Sequence, residues 1–179
     1  NLLKRTVESD DLQVTTILLD HDVNALLPDF MEYPPIFFAR SIAMVNLLTE
    51  RGGLCDKDLN RLIYKAVESD YHTDVLDNYV SRKASVFTLN ASEYTPLMVL
   101  ADNCMLQEPS ITQKKALLLL GSLEPQQVKA FINTKNKYNQ NVFDLLTKTE
   151  KTTPFQEKAS AFKVFLQNKL LSHQDNSEK

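Results

Sequence analysis

A six-residue pattern that recurs five times along the 179-residue chain constrains its fold more than any other feature. The five hexads share one layout and occupy residues 1–6, 34–39, 61–66, 95–100 and 141–146. Their last residues fall at 6, 39, 66, 100 and 146, so the steps are 33, 27, 34 and 46 residues. Near-regular spacing of this size is typical of repeat proteins, in which each unit buries its apolar face against its neighbours.

Between and within the hexads, apolar residues recur with helical spacing. Six segments carry the stripe of a half-buried helix: 12–19, 42–48, 59–67, 75–80, 111–120 and 155–171. Isolated helices of about two to three turns are marginal in water, so tertiary packing must stabilise most of them. The chain has only three glycines, which argues against strand-rich folds and Gly-rich phosphate loops. We therefore expect an all-α fold, with Asp58 and Thr153-Pro154 as helix start signals.

Several motifs resemble the ankyrin repeat family, whose period is about 33 residues and whose first helix opens with T-P-L-H-x-A. The best match is Thr95-Pro96-Leu97-Met98-Val99-Leu100-Ala101. The segment 11–25 resembles the family's second helix, as does 45–52, and 132–141 resembles the finger loop that joins repeats. The resemblance implies a helix-turn-helix solenoid over residues 1–172, with short finger loops, a capping helix over 155–171, and a flexible tail over 173–179.

The chain also departs from the family pattern. The box histidine is replaced in every copy, by Lys4, Phe37, Tyr64, Met98 and Asp144. The finger glycine is replaced by Glu32, Glu93 and Asn139, and because glutamate disfavours a left-handed backbone we expect distorted fingers at 29–34 and 90–95. The 27-residue step predicts a shortened finger near 52–58, and the 46-residue step an insertion within about 103–127. Other helix-pair solenoids, with periods of about 34 or 40–47 residues, explain the helices equally well; the Thr95 box and the 132–141 finger favour ankyrin repeats.

Composition excludes several classes of partner. The net charge is −3 with a pI near 5.6, and no segment concentrates Lys and Arg, so we expect no nucleic acid. The longest apolar runs are too short to cross a bilayer. The segment 155–171 lacks the cationic excess of a membrane-surface helix, which favours the capping helix instead. Two distant cysteines indicate an intracellular, cytoplasmic setting. The glycine-poor, divergent repeats also resemble those of proteins that intracellular bacteria and large viruses deliver into host cells, so delivery into a host cell is an alternative setting. The chain starts without Met, so we expect further sequence upstream.

We find no catalytic constellation among the reactive side chains. His21, His72, His173, Cys55 and Cys104 show neither a family signature nor zinc-ligand spacing. Cys104 follows the apolar 98–101 turn, so it is interpreted as a buried structural thiol. The sequence therefore predicts no enzyme, no metal, no cofactor and no small-molecule substrate.

The resemblance implies that another protein binds at the finger tips and just after the boxes. The residues that match these positions are Phe30, Met31, Tyr33, Ser92, Tyr94, Asp102, Lys137, Tyr138 and Gln140. Tyr and other aromatic residues are enriched in interface hot spots. Phe30 and Met31 could instead pack into a distorted finger, which is a weaker alternative for Tyr94 and Tyr138. Two further functions stay open: a recruiting accessory domain of a larger enzyme or host-directed effector, and an all-helical enzyme.

Overall fold

The computed structural model describes residues 2–54, 56–68, 73–151 and 156–174, without the side chains at 56, 57, 173 and 174. All secondary structure in these ranges is helical, which confirms the expected all-α class. The elements in chain order are α1 (Leu2–Glu8), α2 (Leu12–Asp20), the 3₁₀ helix η1 (Pro35–Phe38), α3 (Ile42–Glu50), α4 (Asp56–Glu68), α5 (Thr73–Ser81), α6 (Pro96–Asp102), α7 (Pro109–Gly121), α8 (Pro125–Asn133), α9 (Val142–Glu150) and α10 (Gln156–Gln174).

Side chains with short polar groups begin several of these helices. The Thr95 hydroxyl accepts the Met98 N–H at 3.2 Å, and Pro96 occupies the first turn, where its missing N–H costs nothing. The expected start at Asp58 is wrong, because α4 begins at Asp56 and Asp58 lies in its first turn. Thr153-Pro154 falls outside the described residues.

The hexad at 34–39 forms a shorter element than its counterparts. Only the single 3₁₀ turn η1 forms there, and Ala39 is already extended, with φ −66° and ψ 130°. Ser41 is also extended and caps α3, accepting the Met44 N–H at 3.1 Å. The 3₁₀ helix η1 stays short because Ser41, which caps α3, follows Pro34, which caps η1, by only seven residues.

Helices α2, α3 and α5 end in the same way. In each, an N–H beyond the helix donates back to a carbonyl five residues earlier, and the residue before that N–H has a left-handed backbone. The left-handed residues are Asp22 (φ 57°), Gly52 (φ 75°) and Lys83 (φ 66°). The bonds run from Val23 to Leu18 (3.2 Å), from Gly53 to Leu48 (2.7 Å) and from Ala84 to Tyr79 (3.0 Å). These three helix ends therefore share one backbone geometry.

Burial explains why the hexad recurs. The sixth hexad residue is buried in all five copies: Thr6 (8% exposed), Ala39 (8%), Ala66 (2%), Leu100 (0%) and Leu146 (0%). A side chain at this position faces the helices on either side, so only an apolar or hydrogen-bonded residue fits. Thr6 meets that requirement because its hydroxyl donates to the Leu3 carbonyl at 2.9 Å.

Helix contacts follow the order of the chain. Among the elements that overlap a hexad, α1 packs on η1, α4 on α6, and α6 on α9. Among the helices that follow them, α2 packs on α3, α3 on α5, α5 on α7, and α7 on α10. The longest hexad spacing contains one additional helix, α8, which packs against α10. Each of the loops before η1, α6 and α9 leads into a hexad whose second residue begins the next element.

Candidate functional site

Three loops of identical construction precede η1, α6 and α9, and we name them finger 29–34, finger 90–95 and finger 136–141. The side-chain oxygen of the first residue accepts the backbone N–H groups of the third and fifth residues, which closes the loop from inside. The acceptors are Asp29, Asn90 and Asn136, with distances of 2.9 and 3.1 Å, 2.9 and 3.0 Å, and 2.9 and 3.0 Å respectively.

Backbone hydrogen bonds complete each finger in the same way. The N–H of the first residue donates to the carbonyl of the fifth, at 3.0, 3.1 and 2.9 Å in chain order. The N–H of the fourth residue donates to the carbonyl of the first, at 3.0, 2.8 and 2.9 Å. Because one Asp or Asn side chain and two backbone bonds fix five residues, the tip can hold its second and third side chains out from the helices.

The expected distortion of finger 29–34 and finger 90–95 is wrong. Glu32 (φ 62°) and Glu93 (φ 59°) adopt the left-handed backbone that Asn139 (φ 61°) adopts in finger 136–141. A left-handed non-glycine residue costs on the order of 1–2 kcal/mol. The four hydrogen bonds of each finger offset that cost, so glutamate replaces glycine without changing the loop.

One groove lies over η1 and α4. The connection between α3, which ends at Glu50, and α4, which begins at Asp56, is one residue shorter than each six-residue finger. Finger 29–34 and the segment 88–91 bound this groove of about 660 Å³, with η1 and α4 as its floor. Its lining is Lys4, Asp29, Met31, Tyr33, Phe37, Phe38, Asn60, Arg61, Tyr64, Lys65, Glu68, Thr88, Leu89, Asn90 and Ala91.

Aromatic rings and cations alternate on the groove floor. The Tyr33 and Phe37 ring centroids are 5.2 Å apart, and the Arg61 guanidinium lies 5.0 Å from each of them. On the other side, the Lys4 ammonium lies 4.0 Å from the centre of the Phe38 ring. Cations over ring faces are attracted by the ring quadrupole, which keeps these long side chains ordered.

Electrostatics fix the first wall of the groove. Lys4 Nζ donates to Asp29 Oδ2 at 2.9 Å, and this contact is the largest cause of a lowered pKa at Asp29. The N–H groups of Tyr33 and Met31, which donate to the same carboxylate, lower that pKa further. Asp29 therefore stays ionised while it closes the finger and anchors α1 to it.

A tyrosine hydroxyl fixes the opposite wall. Tyr64 on α4 donates to the carbonyls of Thr88 (2.5 Å) and Tyr94 (2.8 Å), so its one proton is shared between two acceptors. Burial raises the pKa of Tyr64, and the hydroxyl remains a donor across the working range of pH. This side chain occupies the fourth position of the hexad at 61–66.

The predicted binding residues divide between the groove and other positions. Met31 (59% exposed) and Tyr33 (half-buried) line the groove, whereas Phe30 projects from the same tip and is 91% exposed. The packed alternative for Phe30 is therefore not observed. The remaining six, Ser92, Tyr94, Asp102, Lys137, Tyr138 and Gln140, lie outside the groove lining.

The outlying predicted residues gather around finger 136–141. Tyr138 is 62% exposed, and the Lys137 ammonium lies 5.1 Å from its ring. Tyr94 is half-buried and packs on the core; its pKa is raised by burial first and by the Asp102 carboxylate second. Asn136 and Lys137 lower the pKa of Tyr94, so Tyr94 lies beside finger 136–141.

Sequence reasoning missed most of the groove. Its floor residues on α4, namely Arg61, Tyr64 and Lys65, and Phe37 and Phe38 on η1, were not among the predicted contacts. The 27-residue step was the available signal, because it predicts a short connection before α4, the helix that forms part of the groove floor. To predict the groove from that step, one must also know how the fingers are arranged in three dimensions.

Reactive groups elsewhere are buried or scattered. Cys104 is 1% exposed and free, and burial, with a smaller contribution from Asp102, raises its pKa to about 11. Within the described ranges, His, Cys, Asp and Glu side chains form no cluster of three suited to a metal ion. The described helices include none whose length and apolarity would let it span a bilayer.

A comparison with protein-family models and a search of curated proteins both found no match for this chain.

Proposed function

We propose that this chain is a divergent ankyrin-repeat array that binds a partner protein through its groove and finger tips. Three fingers with the same four hydrogen bonds, each ending at the N-cap residue of the next element, support a repeat origin. The helices contact one another in the order of the chain, which supports a stack in which successive units pack side by side. In this proposal α10 closes the end of the stack, because it packs on α9, α7 and α8.

The observation that carries the proposal is the groove between finger 29–34 and the segment 88–91. Its lining combines aromatic rings, Met31 and Arg61, the residue types enriched in the centres of protein interfaces. Phe30 stands almost fully exposed at the rim, where a monomer gains nothing from it. A partner side chain laid against these groups would bury apolar surface that the fold has already positioned.

The proposal concerns binding and not turnover. The described titratable groups with clearly shifted pKa values are tyrosines, one buried thiol and two carboxylates held by lysines. Each has a structural cause, burial or an ion pair. Asp29 and Tyr64 line the groove, and each of them is engaged in hydrogen bonds that fix a wall of it. A free thiol at Cys104 accords with a reducing, intracellular setting, which forms part of the proposal.

Site-specific photo-crosslinking tests the proposal. A photoreactive phenylalanine analogue replaces Phe30 at the groove rim in one preparation, and Val164, 53% exposed on α10, in another. Each is irradiated in a lysate of the cells that express the chain. We expect a discrete crosslinked partner at position 30 that added unlabelled chain competes away, and no such product at position 164. Identical, non-competable products at both positions would count against a binding groove.

A further inference from the structure

The groove carries more positive charge than the chain as a whole. Its lining includes three cations, Lys4, Arg61 and Lys65, and two carboxylates, Asp29 and Glu68, on a chain whose net charge is −3. Asp29 is already engaged, by Lys4 and by the two N–H groups of its finger. The net charge that a ligand meets on the groove floor is therefore set mainly by Arg61, Lys65 and Glu68.

Arg61 and Lys65 lie one helical turn apart on α4, and both are exposed. The guanidinium of Arg61 lies over the adjacent Tyr33 and Phe37 rings, and its contact with Asp58 is long, at 3.5 Å. A guanidinium has five N–H donors in a planar fork that suits a carboxylate. Ring contacts order this fork without using its donors, so it is preorganised toward the groove.

Apolar surface lies beside these cations. Met31 is 59% exposed and Leu89 is 48% exposed, one on each wall of the groove. A volume of about 660 Å³ falls in the range of sites that enclose a ligand. A ligand that satisfies both halves of the lining needs an apolar side chain and a negative charge close together.

We propose that the groove binds an extended segment of a partner protein in which a carboxylate side chain neighbours an aromatic or large aliphatic one. The carboxylate pairs with Arg61 and Lys65, and the apolar side chain lies between Met31 and Leu89. This inference rests on the proposed function and adds the chemistry of the partner. Charge complementarity with a cationic floor on an acidic chain selects this occupant over a basic segment.

A phage-displayed library of random peptides of about twelve residues, panned on the whole chain, tests the inference. We expect enrichment of Asp or Glu within a few positions of Phe, Leu, Ile or Met. For a selected peptide, the double variant R61Q/K65Q weakens binding about tenfold or more, as does replacement of the peptide's carboxylates by amides. The affinity also falls as salt rises from about 50 to about 500 mM. The matched control is K114Q/K129Q, which removes two exposed lysines of α7 and α8.

Arg61, Lys65 and both control lysines are exposed, and an unchanged thermal melt shows that each variant is folded. Three results overturn the inference and leave the proposed function intact. They are peptides that depend on Met31 but carry no carboxylate, enrichment of basic peptides, and equal loss of affinity in the control variant. Two further results also overturn the inference. If the chain forms a dimer and R61Q/K65Q abolishes that dimer, the groove holds a second copy of the chain. If the chain binds a single-stranded oligonucleotide in place of peptides, the groove holds a phosphate. Failure of every peptide, together with no competable crosslink at position 30, removes the proposed function as well.

Discussion

The hydroxyl of Tyr64 donates to the backbone carbonyl of Tyr94 at 2.8 Å, across 30 residues of sequence. The bond joins the floor of the groove to the base of finger 90–95, while the Thr88 carbonyl accepts from the same hydroxyl. Finger position and groove shape thus depend on one side chain of α4. The same side chain occupies the fourth position of the hexad at 61–66, so a residue of the recurring pattern also shapes the groove.

We expect Tyr64→Phe to lower the free energy of unfolding by about 1–2 kcal/mol, because the part-buried bonds to the Thr88 and Tyr94 carbonyls are lost and the Tyr94 carbonyl keeps only the Asn90 N–H. Urea denaturation measures the loss directly. Tyr138→Phe is the matched control, since Tyr138 is 62% exposed and should change stability little. Equal stability of the two variants would show that the Tyr64 bonds are replaced by water.

Glu93→Gly should raise the free energy of unfolding relative to Glu93→Ala by about 1 kcal/mol. Residue 93 has φ 59°, which glycine adopts freely and alanine does not. Both substitutions remove the same carboxylate, so their difference isolates the backbone. Thermal melts of the two variants give the comparison, and a more stable alanine variant would contradict the left-handed turn.

Alanine at Tyr94 and at Tyr138 should have opposite signatures. Tyr94 packs on the core, so Tyr94→Ala should cost about 1–2 kcal/mol of folding stability. Tyr138→Ala should leave the melt nearly unchanged and weaken partner binding by about 1 kcal/mol or more. Urea denaturation and titration with the crosslinked partner separate the two effects. Loss of folding stability in Tyr138→Ala would place that ring in the core.

Cys104 should resist thiol reagents in the folded chain. With its pKa raised to about 11 by burial, only about one thiolate per thousand molecules forms at pH 8. We expect negligible alkylation in native buffer and complete alkylation in urea, resolved by mass spectrometry of the peptide that contains residue 104. Rapid native labelling of that peptide would mean that the α6–α7 connection opens readily.

Glu150 links α9 to α10 and should make stability depend on acid pH. It accepts from Lys163 Nζ at 2.8 Å and from Ser160 at 2.9 Å, and the Lys163 contact is the main cause of its lowered pKa. A carboxyl whose pKa is lower in the folded state stabilises the fold above its unfolded pKa of about 4.5, and this contribution is lost as the pH falls through the folded value. We expect Glu150→Gln to cost about 1 kcal/mol at pH 7.

The difference between the native chain and Glu150→Gln should close progressively below about pH 4.5, as both lose the charge. Denaturant curves at several pH values measure it. Glu157→Gln, which changes an exposed residue at the start of α10, serves as the control. A difference that persists in acid would assign the effect to packing.

Finger geometry shows where sequence reasoning fell short. Glycine is the expected residue at a left-handed position, so Glu32 and Glu93 predicted distortion. The folded loops supply Asp29 and Asn90 as internal acceptors, and these bonds outweigh the preference of one residue. Single-residue propensity is a local term of about 1 kcal/mol, whereas the loop closes through four bonds at once.

The sequence by itself determined the helical class and where most helices lie. All six segments with an apolar stripe fall within helices over the residues described, and the recurring hexad places its sixth residue in the core each time. These are short-range properties, because a period of 3.6 residues and a buried position can be read from neighbouring residues. Only the tertiary structure decided the groove. Lys4, Tyr33, Arg61 and Leu89 lie far apart in sequence, and they line one groove only because of the way the helices and loops pack together. Their proximity depends on the relative placement of whole elements, which no local pattern encodes.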